Sequence, residues 1–256
     1  MSSVKQSAMW NLNTRQLLLP KLGHEASECE DFIAFDTHTG RFAVADGATE
    51  AFDARNWAQR LAQHWVENDS ALTAEEFREW VAAEGRELHA SWSGLSLSWY
   101  SEEKARTGSF AALAGVELDL ESDSVSWKAI ALGDTCFLHY RDGNLLKSLP
   151  LSRSESFNSA PVLVASDASM HEASLRSVVI DSGSCNDGDI LLLLSDAMAC
   201  WFLEHFERND LDPNRLFKTT GDEELKQFFN DERLAGRMRN DDLAMLRLEI
   251  TQRRVS

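Results

Sequence analysis

Three aspartates, each beside an apolar strand-like run, are the residues of this chain whose type and placement best suit chemistry. Asp46 lies in Arg41-Phe42-Ala43-Val44-Ala45-Asp46-Gly47. Asp196 closes Asp189-Ile190-Leu191-Leu192-Leu193-Leu194-Ser195-Asp196. Asp241 opens Asn240-Asp241-Asp242-Leu243-Ala244-Met245-Leu246. A buried strand favours aliphatic and β-branched residues, and a carboxylate at its end is costly unless something positive compensates it. No matching run of Lys or Arg accompanies the three. That points to a divalent cation, because Mg²⁺ and Mn²⁺ take oxygen ligands from carboxylates, carbonyls and water.

These acids need elements to hold them. Asp31 to Asp36 and Arg41 to Asp46 read as two strands joined by the turn Thr37-His38-Thr39-Gly40. A helical period follows from about Phe52 to Val66. Thr73-Ala74-Glu75-Glu76 has the form of a capping box for a helix running past Trp80 to Leu88. From Ser109 the period changes to that of strands: Phe110 to Leu118, Val125 to Leu132, and Cys136 to Tyr140, with Arg141-Asp142-Gly143-Asn144 as a hairpin turn. Residues 150 to 185 are Ser-rich and without period. Ile190 to Leu194 reads as a buried strand, Met198 to Phe206 and Glu223 to Phe229 as helices, and Leu243 to Ile250 as the last strand. No linker or repeat divides the chain, so residues 1–256 are expected to form one α+β domain, with two layers of sheet covered by helices.

Composition narrows the function. The 256 residues are 43% hydrophobic and 26% charged, which suits a soluble domain with a buried core. A net charge of -17 argues against binding a phosphate backbone, so no nucleic-acid partner is expected. Met1-Ser2-Ser3-Val4-Lys5 lacks an apolar signal core, and Ile190 to Leu194 is too short to span a bilayer, so no membrane association is expected. Cys29, Cys136, Cys185 and Cys200 form no C-x-x-C pair and read as reduced thiols of a cytoplasmic protein.

Six short motifs, in order, resemble those of the PP2C-type (PPM) metal-dependent protein phosphatases, in their bacterial form. They are Glu30-Asp31, Val44-Ala45-Asp46-Gly47, Gly108-Ser109-Phe110-Ala111, Ala131-Leu132-Gly133-Asp134-Thr135, the run from Asp187 to Ser195-Asp196, and Asn240-Asp241-Asp242. The resemblance implies a four-layer α-β-β-α sandwich with the metal site at one end between the two sheets. It implies two Mg²⁺ or Mn²⁺ ions per chain and a weaker third. Asp46 would bridge two ions, with the Gly47 carbonyl on one, and Asp196 and Asp241 on the other. Glu30 and Asp31 would bind metal waters or ligate directly, and Asp134 with Asp196 would serve the third ion. The implied activity is hydrolysis of phosphoserine or phosphothreonine by metal-activated water, on a phosphorylated protein and alongside a partner kinase.

The chain also departs from the family pattern. The position of its phosphate-binding Arg, five residues before Asp31, is Ala26, leaving Lys21, His24 or Arg55 as substitutes. Ala48 and Ala197 replace a His found in some members and a Gly, and Asp242 replaces an Asn. Two other functions stay open: a catalytically weak domain that binds phosphorylated partners or regulates a kinase, and a hydrolase of small phosphate esters. Each motif also has a plainer reading. Asp142-Gly143 is expected to be only a turn. His64, His205, Trp57, Trp65 and Trp80 are expected to pack at or near the core, and Cys29 to be a structural thiol.

Overall fold

The computed structural model describes residues 10–68, 73–122, 124–157, 160–210 and 212–253; Met1 to Lys5, read above for a signal core, lie outside these. In chain order the strands and helices are β1 (Trp10–Leu19), β2 (Asp31–Asp36), β3 (Arg41–Gly47), α1 (Ala54–Glu67), α2 (Ala74–Ser91) and α3 (Trp99–Thr107). There follow β4 (Phe110–Asp119), β5 (Val125–Leu132), β6 (Cys136–Arg141), β7 (Asn144–Leu149), β8 (Val164–Ala165), α4 (His171–Ser177) and β9 (Val179–Cys185). The chain closes with β10 (Ile190–Leu194), α5 (Asp196–Arg208), α6 (Pro213–Thr219), α7 (Asp222–Leu234) and β11 (Leu243–Gln252).

Two antiparallel sheets result. One has the order β1-β11-β10-β6-β7, the other β2-β3-β4-β5-β9, with β8 added against β4. The period-2 alternation of side chains sorts each strand between two cores. Phe42 and Val44 of β3, Val116 of β4, Leu191 and Leu193 of β10, and Leu246 and Leu248 of β11 fill the space between the sheets. Ala43 and Ala45 face the other way, onto Trp57, Leu61 and Trp65 of α1 and Phe77 and Trp80 of α2. Leu192 and Leu194 face Trp201, Phe202, Phe217 and Phe229 of the C-terminal helices. The layers are therefore helix, sheet, sheet, helix, as the resemblance implied. Burying each large side chain contributes about 1.5–3 kcal/mol, so continuous apolar runs such as Ile190–Leu194 belong to strands covered on both faces.

Thr73 caps α2 with its side chain, and the reciprocal bond comes from its hydroxyl and not its backbone amide: the hydroxyl accepts from the Glu76 amide at 3.2 Å and donates to the Glu76 carboxylate at 2.7 Å. β1, α3, β8, α4, β9 and α6 are not among the elements expected from the sequence. β1 is an edge strand paired only with β11, from Trp10↔Gln252 to Leu19↔Leu243, and most of its residues are only partly covered. α3 buries no residue. β8, α4 and β9 occupy the Ser-rich segment that shows no period. Among the described residues, no helix is long and apolar enough to cross a membrane.

Candidate active site

The register of the sheets brings the acids together. Asp31 and Asp46 are directly opposed across β2 and β3. Both continue the between-sheet face set by Ile33, Phe42 and Val44, and so emerge at one end of the sandwich. From the facing sheet, Ser195 continues the face of Leu191 and Leu193, and its hydroxyl hydrogen-bonds the Asp31 carboxylate. Asp196 follows as the first residue of α5, where the helix N-terminus favours a negative charge. Asp134 arrives on the turn between β5 and β6. That turn needs Gly133, whose φ is +92° and whose absent Cβ would stand 2.6 Å from the Ala112 Cβ. Gly47 is equally constrained, since a Cβ there would lie 2.7 Å from the Ala54 carbonyl oxygen.

Asp46, Gly47, Asp134, Asp196 and Asp241 line one open cavity of about 290 Å³, together with Arg239 and Leu163. The electrostatics are unfavourable for so many charges. Burial, followed by repulsion from Asp31, Asp196, Asp134 and Asp241, pushes the Asp46 carboxyl well above the ordinary carboxylate range. Burial is also the main cause at Asp31, which Asp242, Asp196 and Asp241 push further up. At Asp134, burial and then Asp196 raise the pKa to about 7. Asp196 is raised by burial and by Asp241, against the pull of Arg239, and it shares a hydrogen bond with Asp46. The buried Asp31 Oδ2 has no hydrogen-bond partner.

Such groups suit a hard cation. The donors are all oxygen, one buried carboxylate oxygen is unsatisfied, and like charges crowd one another in a low-dielectric pocket. Among the described residues, no three carboxylates of this cavity each bring an oxygen within 4.8 Å of the other two. Ions bound here would therefore keep several waters, as Mg²⁺ does.

The same architecture recurs among solved structures. The catalytic domain of the serine/threonine protein phosphatase PstP in complex with two manganese ions superposes with a TM-score of 0.58 at 14% identity, over 95% of this chain and 100% of that one. The chain has the PP2C-type phosphatase fold. PppA, a regulatory component of the type VI secretion system in Pseudomonas aeruginosa, gives a TM-score of 0.56 at 15% identity, over 94% of this chain and 98% of its own. The photosystem II phosphatase PBCP gives 0.57 at 14%, over 93% and 98%. No protein-family model and no curated protein matches the sequence.

Within this PP2C fold the remaining predicted residues divide. Lys21 reaches the mouth. Its ammonium lies 3.5 Å from Asp241 and 3.7 Å from Glu30 and donates to the Thr49 hydroxyl at 3.1 Å. Burial lowers its pKa, but Asp241, Asp242 and Glu30 outweigh that and raise it. Arg55 turns away: its guanidinium donates to the backbone carbonyls of Ala26 and Ser27. His24 is exposed and, like Arg55, does not line the cavity. Asp242 serves the backbone, accepting from the amides of Lys21 and Glu30, each at 2.8 Å.

Two features of the site went unread in the sequence. Arg239 pairs with Asp196 at the cavity wall. Arg233 is buried and donates to the carbonyls of Leu19, Pro20 and Asp241, fixing the loop that carries Asp241. Only the position of Arg239, two residues before Asp241, could have singled it out.

A second close group of possible ligands, His139, Cys185 and Asp189, lies at the far end of β10. There Asp189 is already saturated. It accepts from His139 Nε2 at 2.8 Å, from Arg141 Nε and Nη2 at 2.6 and 2.7 Å, and from the Asn186 amide at 2.8 Å. Its carboxyl is lowered because Arg141, Asn186 and His139 outweigh burial. This is a structural tie.

Proposed function

We propose that the protein is a Mg²⁺- or Mn²⁺-dependent phosphoprotein phosphatase acting on phosphoserine and phosphothreonine. The observation that carries this reading is the gathering of Asp46, Asp134, Asp196 and Asp241 around one cavity of a PP2C-type sandwich, with the buried Asp31 opposed to Asp46 and the carboxyls of Asp31, Asp46, Asp134 and Asp196 held out of their ordinary ionisation range. Asp46 and the Gly47 carbonyl would hold one ion. Asp46, Asp196 and Asp241 would hold a second, and Asp134 with Asp196 a weaker third. The chemistry such ions supply when bound is acidification of water toward neutral pH and neutralisation of phosphoryl charge. Glu30 and Asp31 orient water by accepting its hydrogen bonds. The helix N-terminus at Asp196 adds positive potential where the phosphoryl group would dock.

The substrate is a phosphorylated protein, supplied by a partner kinase. With four free cysteines the chain suits a reducing cytoplasm. A second reading, a phosphoprotein-binding domain of low activity, draws on Ala26 and on the ion pairs that Arg239 and Lys21 make with Asp196 and Asp241. Assay of p-nitrophenyl phosphate and a phosphothreonine peptide, after EDTA treatment and after Mn²⁺ addition, separates the two. Activity that appears only with Mn²⁺ and disappears in Asp46→Ala supports the enzyme. Calorimetric Mn²⁺ binding that survives intact in Asp46→Ala refutes the ligand assignment.

A further inference from the structure

We infer that Arg239 binds the phosphoryl group, doing from the β11 side of the cavity what Ala26 cannot do from the other. This rests on the phosphatase reading above. A phosphoryl dianion in an acidic cavity needs a cationic donor as well as any metal, and a guanidinium fork matches its oxygens in pairs. The basic residues around the mouth differ in their freedom to provide one. Lys21 has a side chain only 13% exposed, held among Glu30, Asp241 and Thr49. Arg55 is committed to the Ala26 and Ser27 carbonyls, and Arg233 is buried among backbone carbonyls. Lys104, beside the adjoining recess, lies 3.3 Å from Glu50 and stands over the Tyr100 ring.

Arg239 alone of the basic residues lines the cavity among the described residues, and its side chain is 47% exposed. Its backbone is well placed to aim it. Met238 on one side is buried, and Asn240 on the other accepts from the Leu22 amide at 2.8 Å. A guanidinium has five N–H donors, and one carboxylate does not use them all. Arg239 can therefore keep its contact with Asp196 while the remaining N–H groups face an oxyanion in the cavity.

The pairing has a second effect. Asp196 is claimed both by Arg239 and by the proposed ion, so removing Arg239 should leave metal affinity intact or increase it while weakening phosphate. A purely structural arginine would behave differently, since its loss would disturb Asp196 and lower both.

The test is calorimetric titration of inorganic phosphate into the Mn²⁺-loaded protein, for wild type, Arg239→Ala and Arg239→Lys, alongside Mn²⁺ titration and p-nitrophenyl phosphate kinetics. Arg239→Ala should raise the phosphate Kd and the KM roughly ten- to hundredfold, the worth of a charge-assisted pair, with Mn²⁺ Kd unchanged or lower. Arg239→Lys, which keeps the charge but not the fork, should fall between. Unchanged phosphate affinity in Arg239→Ala overturns the assignment, as does a parallel loss of Mn²⁺ binding. Should the alanine variant fail to fold, the lysine variant decides, because a phosphate Kd equal to wild type rejects a bidentate role. A wild type that binds no Mn²⁺ would instead reject the phosphatase reading. Phosphate titrated into the metal-free proteins then judges Arg239 separately: weaker binding in Arg239→Ala supports it, and equal or absent binding overturns it.

Discussion

Removing a carboxylate from the mouth should stabilise the metal-free protein, and Asp134 allows the size to be worked out. Its carboxyl ionises at about 7 in the fold, raised by burial and by Asp196, against an ordinary value of 3.8. The folded state thus holds this proton more tightly than the unfolded chain. The sign follows: stability from this group is fully present below about pH 4 and is lost as pH rises through about 7. With about 1.36 kcal/mol per pKa unit, the raised pKa of Asp134 lowers stability by about 4 kcal/mol at pH 8, where the folded carboxyl is ionised, and by about 1.5 kcal/mol at pH 5, where it is protonated while the unfolded one is ionised. Asp134→Asn keeps the shape and removes the charge. In EDTA the variant should therefore unfold on the order of 10 °C above wild type at pH 8, and by a clearly smaller margin at pH 5. Thermal scans of both proteins across pH 5–8 check this. A variant no more stable than wild type at pH 8, or a margin independent of pH, would refute the account of a strained acidic pocket.

Three further outcomes are expected. Mn²⁺ should raise the melting temperature of wild type in a concentration-dependent way, because it binds only the folded site; a flat titration would count against a preformed acidic site. Asp189→Ala should destabilise by about 3–5 kcal/mol in urea denaturation, since it strands Arg141 and the buried His139 without their carboxylate; a loss under 1 kcal/mol would show that the tie is dispensable. Gly133→Ala should cost about 1–3 kcal/mol and weaken Mn²⁺ binding through Asp134, because it must hold φ near +92° and press on Ala112; unchanged stability would mean that the turn relaxes freely.

The acids were legible because each stands at one end of a run whose period is unmistakable. The alternation through Phe42, Val44 and Asp46 places that carboxylate on the between-sheet face, and five consecutive aliphatics can only be a covered strand before Ser195 and Asp196. The elements that went unread carry weak local signals. β1 is stabilised by pairing with β11 more than by its own pattern, and α3 buries nothing, so its sequence has no apolar stripe to show. Arg239 was invisible for another reason. It lies in an aperiodic loop, and its significance comes from a partner 43 residues away in sequence. Asp242 looked like one more acid at the site, and only the fold reveals it as a backbone anchor.

The position of β11 also bears on how the protein is made. Among the described strands β11 is synthesised last, yet it lies between β1 and β10 in its sheet and is the only described neighbour of β1. Asp242, at its entrance, ties down the loop leading to Glu30 and Asp31, and Asp241 arrives with it. Synthesis of the first 240 residues therefore leaves one edge of the sandwich unpaired and the acidic cavity without its last wall. Sheets whose pairings span such sequence distances form slowly and expose their edges meanwhile. Until β11 threads into place the chain should consequently need protection from aggregation, and under the proposed function its folding and its activation become a single event.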